Sequence, residues 1–406
     1  MTIDAERQIK CALCGHESFY LGDHLLEAHD MTVEAYQASN PNAPVVSAVV
    51  WDAYQTAAGN RRRRQPPALE ELTVELAGVQ FPINPNVPED ACLPLPPNYR
   101  VPEHGNLKRD IRHAAIGLAR NRSFYIWGMP GSGKDAFFHA FSNLARRPGK
   151  IFQIKPGVDI EAWFFARAFD GQGTSWEEGD FLKAARDGYL TENGDRVPYL
   201  LLITDFDRAD RSQAEALRLV MDTTMGRISG PTGEVYKVLP GTVIAATANT
   251  AGGGDTRGRM ISSNPLDASL MDRFNISLEF HWMDWADEEP ICQAKFPLLV
   301  EKAPYVFGQI GNATGKLREA ILAEELHWEF SHRAVCNWLC HAEDIIFGLG
   351  GKVPPNLLKR AARVVLDKAP DDETREGAKK IMDPHLSGGT LETGSFTESG
   401  KLHEDF

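Results

Sequence analysis

With 406 residues, the chain is long enough to form two or three domains, each with its own hydrophobic core. Its composition, 43% hydrophobic and 24% charged, is that of a soluble protein, and its net charge of −13 argues against a broad nucleic-acid-binding surface. The sequence contains no membrane-spanning apolar run and no dense cysteine framework, and the N-terminal segment MTIDAERQIK is too polar for a signal peptide. We therefore expect a cytoplasmic protein without a membrane partner.

The first motif along the chain is a pair of cysteines followed by a pair of histidines. Cys11, Cys14, His24 and His29 have the spacing C-x2-C-x9-H-x4-H, and two thiolates with two imidazoles suit tetrahedral Zn²⁺. The segment resembles the Ros/MucR-type zinc fingers, whose members bind DNA. Its own side chains are mostly acidic, however, and contact with phosphates needs cations. We therefore predict that residues 1–60 form a zinc-finger domain with a structural or protein-docking role.

Residues 61–105 are predicted to form a proline-rich linker, because nine prolines fall between Pro66 and Pro102. The run Arg61–Arg64 opens this segment. We interpret it as the solvated edge of the linker, and the alternative is a local contact with nucleic acid or an acidic partner.

A phosphate-binding loop follows the apolar segment Phe124–Trp127. The sequence GMPGSGKD fits the pattern G-x4-G-K, with a strand-like run before it and a helix-like run after it. Backbone N–H groups and a helix N-terminus then surround a β-phosphate, and the lysine reaches the β- and γ-oxygens. The predicted ATP-binding residues are Gly128, Pro130, Gly131, Ser132, Gly133, Lys134 and Asp135 of this loop, together with Thr204 and Asp207 of a later acidic strand. Asp135 stands where Ser or Thr is usual.

From about Leu107 onward, apolar runs alternate with helical stretches, which predicts an α/β fold with a parallel sheet over residues 106–290. One helix-like insert is expected at 160–169, and one hairpin is expected to turn at Gly230–Gly233. Residues 291–366 predict a C-terminal helical lid, with Cys336 and Cys340 one turn apart on a buried helix face; the alternative for these two cysteines is an isolated metal pair. Residues 367–406 predict a flexible acidic tail.

The series ATANTAGGGDTRGRM and LDASLMDRFNISLEF, together with the phosphate loop and SHRAV, resembles AAA+ ATPases of the MoxR group. Within that group the chain is most similar to the CobS subunit of aerobic cobaltochelatase and its phage-encoded relatives. The resemblance implies a P-loop AAA+ core that assembles into a ring, usually a hexamer, with ATP and Mg²⁺ bound between neighbouring subunits. It also implies a helical insert and a hairpin facing the pore, and a partner with a von Willebrand factor A domain.

The same resemblance assigns roles to three polar residues. Asn249 corresponds to sensor 1, whose amide orients the attacking water or contacts the γ-phosphate. Arg273 corresponds to the arginine finger, which reaches the γ-phosphate of a neighbouring subunit. Arg333 corresponds to sensor 2.

The chain departs from the family pattern at its acidic strand, where the family has Asp-Glu-x-Asp. Aligned on Asp207, this chain has Thr204 at the metal-associated position and Asp205 at the position of the catalytic Glu. Because Mg²⁺ takes oxygen ligands, a hydroxyl and a carboxylate could serve it from exchanged positions. We hypothesise that Asp135 and Thr204 are such an exchange. The alternatives are decay of the site, or a register in which Asp205 is the metal-associated acid and Phe206 stands at the base position.

These features predict an ATPase that uses ATP hydrolysis to remodel or assemble a partner protein. The first alternative is a nucleotide-gated scaffold with little turnover. The second is a DNA-directed motor or regulator, for which the zinc finger and the run Arg61–Arg64 are the supporting features.

Overall fold

The computed structural model describes residues 8–40, 43–47, 72–169, 173–224, 226–254 and 263–386. Arg61–Arg64, the part of the GDT motif after Gly254 and the chain beyond residue 386 lie outside these ranges. The chain divides into two compact units, residues 1–71 and residues 72–406. Among the described residues, no helix has both the length and the apolar character of a membrane span.

The N-terminal unit is a small ββαα arrangement. Its elements are β1 (Ile9–Lys10), β2 (Glu17–Ser18), α1 (Gly22–His29) and α2 (Val33–Ser39), and β1 pairs with β2 in antiparallel register. Its buried core contains Cys11, Leu21, Leu25, Tyr36 and Val45. The phenol oxygen of Tyr36 accepts a hydrogen bond from the backbone N–H of Ala12 at 2.8 Å, so the helix pair is tied to the cysteine loop. A core of this size contributes little hydrophobic stabilisation by itself.

The second unit is built on one parallel sheet. Its strands are β5 (Phe124–Trp127), β6 (Gly149–Gln153), β11 (Leu200–Thr204), β14 (Val243–Ala248) and β15 (Ile276–Glu279). They lie in the order β15-β5-β14-β11-β6, and every neighbouring pair is parallel. This confirms the predicted α/β fold with a parallel sheet.

Both faces of this sheet are covered, which explains why its strands read as continuous apolar runs. Leu200 and Leu202 belong to one buried core, whereas Leu201 and Ile203 belong to the core on the opposite face. The flanking helices are α3 (Gly105–Ala119), α4 (Lys134–Leu144), α5 (Asp180–Asp187), α6 (Arg211–Thr224) and α7 (Ala268–Met271). Short 3₁₀ turns occur at Glu89–Ala91, Glu161–Trp163, Phe206–Arg208 and Asp383–His385.

Within the described residues, four two-stranded hairpins accompany the parallel sheet. They are β3 (Thr73–Leu76) with β4 (Val79–Pro82), β7 (Phe165–Phe169) with β8 (Thr174–Glu178), β9 (Tyr189–Leu190) with β10 (Arg196–Val197), and β12 (Arg227–Ser229) with β13 (Val235–Lys237). The last of these turns through Gly230–Gly233, as the sequence predicts.

The C-terminal region is helical and has its own core. Its helices, which we call the lid, are α8 (Trp285–Lys295), α9 (Pro297–Lys302), α10 (Tyr305–Leu322), α11 (His332–Gly348), α12 (Leu357–Ala361), α13 (Arg363–Leu366) and α14 (Asp372–Met382). The lid core is one cluster of buried side chains whose members fall between Cys292 and Leu386 in the sequence and include Phe307, Phe330 and Trp338.

The predicted linker is wrong over residues 72–105. The hairpin β3–β4 occupies residues 73–82, and its Leu76 and Phe81 are buried against the α/β core, as is Leu93 further along the segment. Alternating apolar and polar residues on both sides of a tight turn at Ala77 and Gly78 produce the hairpin, and the prolines lie at or beyond its ends. The predicted linker from 61 to 71 lies outside the described residues.

The helix-like insert predicted at 160–169 is also wrong, because only a short 3₁₀ turn and strand β7 form there. Side chains that alternate along β7 find cross-strand partners on β8. Arg167 lies opposite Trp176, with its guanidinium carbon 5.0 Å from the ring centroid. Cross-strand pairs of this kind stabilise the hairpin. If the same segment were helical, its aromatic side chains would be distributed around the helix and would lack these partners.

The flexible tail predicted from residue 367 does not begin there. Helix α14 starts at an N-cap, Asp371, whose side chain accepts a hydrogen bond from the backbone N–H of Thr374 at 2.7 Å. Ala378 and Met382 on the helix, and Leu386 after it, are buried in the lid core. The prediction for the two lid cysteines is half right, since Cys336 is buried and Cys340 is exposed.

Candidate functional site

The phosphate loop approaches its surroundings too closely for side chains at two of its glycines. A Cβ on Gly128, whose φ is +145°, would lie 2.2 Å from the carbonyl oxygen of Phe280. A Cβ on Gly131, whose φ is +72°, would lie 2.7 Å from the Cβ of Ser331. Both glycines therefore allow backbone conformations and contacts that other residues would strain. The loop ends at Gly133, which caps α4, and Lys134 is the first residue of that helix.

Lys134 lies at the centre of the loop. Its Nζ donates hydrogen bonds to the carbonyl oxygens of Gly128 at 2.7 Å and Met129 at 3.1 Å, and it lies 3.4 Å from Oδ1 of Asn249. Burial lowers the pKa of Lys134, although the nearby carboxylates, Asp135 first among them, oppose this shift. A polyanion such as a triphosphate would favour the charged ammonium. Lys134 and Asn249 thus meet where a γ-phosphate is expected.

The loop also has an unused hydroxyl. Ser132 is 3% exposed, and its Oγ is buried without a hydrogen-bond partner among the described residues. Buried hydroxyls usually have partners, so this group is available to a ligand held by the loop. The cradle of loop backbone, the buried lysine and this hydroxyl fit a nucleotide phosphate.

The end of β11 carries the acidic residues of the predicted metal site. Thr204 is its last residue, and Asp205 follows in the left-handed region with φ +58°. The carboxylate of Asp205 accepts a hydrogen bond from Nε2 of Gln153 at 2.9 Å and lies 3.2 Å from Nε of Arg208. A non-glycine residue with this backbone conformation is uncommon and is often found at functional sites.

Asp207 lies beneath the site rather than on its surface. It is fully buried, and its Oδ2 accepts hydrogen bonds from the backbone N–H of Asn249 at 3.1 Å and from the N–H and Oγ1 of Thr250, both at 2.9 Å. These bonds connect the ends of β11 and β14. The geometry therefore fits Asp207 as the residue that positions Asn249.

Asp135 is paired with a residue that the sequence reasoning did not select. Its Oδ1 accepts a hydrogen bond of 2.6 Å from Oγ1 of Thr247, a buried residue of β14. Thr247 and Thr204 lie side by side, because each follows the last paired residues, Ala246 and Ile203, of two adjacent strands. The signal that could have revealed Thr247 is its position two residues before Asn249, at the same carboxyl-terminal edge of the sheet.

The fold brings the start of α11 onto the phosphate loop. Ser331, the N-cap of this helix, contacts Gly131, and Trp282 donates a hydrogen bond from Nε1 to the carbonyl oxygen of Pro130 at 3.2 Å. Arg333 is exposed in the first turn of the same helix. Arg333, the predicted sensor 2 residue, is therefore two residues along the chain from a contact with the loop, and this proximity depends on tertiary packing rather than on a local motif.

Arg273 lies at the other end of the sheet. Its carbonyl oxygen is 3.5 Å from Oγ of Ser123, the residue that precedes β5, whereas the phosphate loop follows β5. Its guanidinium pairs with Asp222 of α6 at 2.7 Å, and both side chains are partly exposed. The structure thus groups Lys134 with Asn249, and it separates Arg273 from the loop by the length of a strand.

The N-terminal Cys/His cluster consists of Cys11, Cys14, His24 and His29. Their ligand atoms all lie within 4.8 Å of one another. The Sγ of Cys14 is 3.2 Å from Nε2 of His24 and 3.3 Å from Nε2 of His29, and the Sγ of Cys11 is 3.7 Å from Nε2 of His29. Although burial opposes it, the backbone N–H groups of Leu13 and Cys14 lower the pKa of the Cys11 thiol. The four groups could hold one tetrahedral metal ion.

Comparison with known proteins supports the nucleotide-binding core. Residues 123–274, which include four of the five strands of the parallel sheet, match the model of the AAA domain of the dynein-related subfamily. The core is therefore a P-loop AAA core, and this match supports ATP-dependent activity in general. A search of curated proteins found no match to this chain.

Solved structures with a similar arrangement include the RuvB Holliday junction branch migration motor of Thermotoga maritima. It is 15% identical with a TM-score of 0.41, over 71% of this chain and 78% of that chain. A mutant of the same protein is 14% identical with a TM-score of 0.42, over 72% and 81%. Similarity of this degree concerns the fold and carries no argument about function.

Proposed function

We propose that this protein is an ATP-hydrolysing ring protein of the MoxR/CobS type. The observation that supports it most is that the phosphate loop and the backbone of Arg273 lie at opposite ends of β5. Lys134 and Asn249 meet at the phosphate loop, whereas Arg273 is held beside Ser123. A four-residue strand spans about 13 Å. Arg273 therefore suits the ATP of a neighbouring subunit better than the ATP of its own.

The proposed work is remodelling or assembly of a partner protein, and the β7–β8 hairpin supports it. Phe169 at the end of β7 is 76% exposed, and Trp176 on β8 is 45% exposed. Exposed aromatic side chains on a projecting hairpin are suited to contact a polypeptide. A partner with a von Willebrand factor A domain is proposed on the family resemblance alone.

Mixed rings test the shared site directly. Lys134→Ala removes the phosphate contact but retains Arg273, and Arg273→Ala does the reverse, so each variant alone should lose hydrolysis by about 10³-fold. In a random equal mixture, about a quarter of the interfaces combine an intact loop with an intact arginine, and activity should return in that proportion. Steady-state ATP hydrolysis measures the recovery.

The matched control is Arg218→Ala, which removes another arginine in an ion pair with an acid beside α6 and α7. It should hydrolyse ATP at the parent rate and should not need mixing. Full activity of Arg273→Ala alone, or a mixture as inactive as its components, would contradict a shared site.

For the metal shell we propose that Asp135 and Thr204 together replace the family's hydroxyl and carboxylate, with Thr247 fixing the orientation of Asp135. Mg²⁺ bound there would neutralise charge on the β- and γ-phosphates. Asp135→Thr leaves fewer acids near the ion, and Thr204→Asp adds a repulsive one, so each should weaken Mg·ATP binding more than the double variant does. Coupling of about 1–3 kcal/mol is expected in titration calorimetry, and additive effects would favour decay or the other register.

One observation favours the nucleotide-gated scaffold as a second function. Asp205, at the position of the catalytic Glu, has a shorter side chain, and its two oxygens already face Gln153 and Arg208. A base held in this way activates water poorly. Comparing ATP binding with turnover in the parent protein separates the two functions, since a scaffold binds ATP tightly and turns over little.

For the N-terminal unit we propose a structural zinc ion held by the N-terminal Cys/His cluster. The donor set and the short distances between sulfur and nitrogen atoms support it. Its role is to fold a unit whose own core is small.

A further inference from the structure

A second group of metal-ligating side chains lies in the lid. Cys292 on α8 meets His332 and Cys336, which are four residues apart on α11, and their ligand atoms all lie within 4.8 Å of one another. The Sγ of Cys336 is 3.3 Å from Nε2 of His332. Zinc bonds of about 2.0–2.3 Å in tetrahedral geometry place such ligand atoms about 3.5–3.8 Å apart. We call these three residues the lid Cys/His cluster.

The imidazole of His332 is already oriented as in a metal site. Its Nε2 faces the sulfur of Cys336, and its Nδ1 lies 2.8 Å from Oε1 of Glu288. Histidines that ligate metals usually donate their second N–H to a carboxylate in this way, which fixes the tautomer and the ring orientation. Glu288 is fully buried and receives two hydrogen bonds from Arg318, at 2.6 and 3.1 Å.

This arrangement leaves the sulfurs available to a cation. Arg318 balances the charge of Glu288, so that carboxylate serves as the orienting partner rather than as a ligand. Cys292 is fully buried and Cys336 is 5% exposed, and both are free cysteines. Two thiolates with a neutral imidazole would offset the charge of one divalent ion, and soft sulfur ligands favour zinc among the common divalent metals.

We propose that Cys292, His332 and Cys336 bind one Zn²⁺ ion that ties α8 to the first turn of α11. Three protein ligands leave a fourth position for a solvent molecule or another small ligand. The ion would be held by a residue next to one that touches the nucleotide site, because Ser331, which directly precedes His332, contacts Gly131 of the phosphate loop. The three ligands belong neither to the N-terminal Cys/His cluster nor to the residues proposed to bind or hydrolyse ATP.

Zinc content of full-length chains tests the proposal by difference. The parent protein should hold two zinc ions per chain. Cys11→Ser and Cys336→Ala should each hold one, and the double variant should hold about none, because structural zinc is lost with its ligands. The matched control is Cys340→Ala, one turn further along α11 and exposed, which should keep both ions. Mass spectrometry of metals against protein concentration gives these counts.

A cobalt measurement keeps the test valid if Cys336→Ala folds poorly. Titration of the metal-free Cys11→Ser chain with Co²⁺ should saturate at one ion and show thiolate charge transfer with the strong visible bands of a tetrahedral site. Absence of those bands, or equal zinc in parent and Cys336→Ala, would overturn the proposal. So would a Cys292–Cys336 disulfide in the purified protein with zinc at only the N-terminal cluster, because the pair would then be a redox pair.

Discussion

The N-terminal and lid Cys/His clusters have similar internal distances but very different surroundings. Sulfur and imidazole nitrogen atoms are 3.2–3.7 Å apart in the first and 3.3 Å apart in the second. The first has four donors and a small core, in which Cys11 itself is a member. The second has three donors inside a lid with a large apolar core. A metal ion should therefore determine whether the N-terminal unit folds, whereas in the lid it should adjust a structure that folds without it.

The largest expected effect is loss of the N-terminal fold. Cys11→Ser, or removal of zinc with a chelator, should unfold residues 8–47, because zinc in small fingers supplies about 10–16 kcal/mol of folding free energy. Limited proteolysis should then cleave this segment while residues 72–386 stay protected. Serine at the uninvolved Cys92 is the matched control.

This prediction would fail if a metal-free chain kept the segment protected. The two clusters would then not differ in their need for a metal, because the core of Leu21, Leu25, Tyr36 and Val45 would be sufficient to fold the N-terminal unit without one.

The two clusters also differ in how far the sequence reveals them. Cys11, Cys14, His24 and His29 lie in one short segment, so their spacing alone predicts a site. In the lid, His332 and Cys336 are one helical turn apart, but Cys292 belongs to another helix and joins them only through tertiary packing. The sequence reasoning therefore considered Cys336 with Cys340, its neighbour along the helix, and missed the actual partners.

In the nucleotide site, too, some features can be predicted from local sequence patterns and others depend on tertiary packing. The phosphate loop, Asn249 and the strands of the sheet follow from local patterns. The contact of Thr247 with Asp135 depends on sheet register, and the contact of Ser331 with Gly131 depends on how the lid packs. The segments predicted as linker and tail were misread because prolines and polar residues border short elements whose few apolar side chains are buried, such as Leu76, Phe81 and Met382.

A smaller effect should come from the charge pair that orients the lid cluster. Arg318→Met leaves Glu288 charged and buried, and breaking such a pair costs about 3–5 kcal/mol. Denaturant unfolding of the lid should show this loss, whereas the N-terminal unit should unfold as before. The control is Arg363→Met, which breaks an exposed pair with Asp367 and should cost about 0–1 kcal/mol.

Adding Glu288→Leu to Arg318→Met removes the buried carboxylate that Arg318 no longer balances. It should recover part of the lost free energy of unfolding. If Arg318→Met costs no more than Arg363→Met, the lid cluster is not supported by a buried charge pair, and the contrast between the two clusters loses its structural basis.

The smallest expected effect is on nucleotide binding, and it separates the clusters by function. Ser331 packs on Gly131 and is followed directly by His332, so an ion at the lid cluster would hold the start of α11 against the phosphate loop. Removing that ion through Cys336→Ala should weaken ATP binding by about two- to thirtyfold, the range of 0.5–2 kcal/mol for coupling through packed elements. Cys11→Ser, which changes only the N-terminal cluster, should leave ATP affinity at the parent value. Titration of both variants and of Cys340→Ala with a fluorescent ATP analogue makes the comparison. Equal affinities in Cys336→Ala and Cys340→Ala would show that the lid ion, if bound, does not reach the nucleotide site.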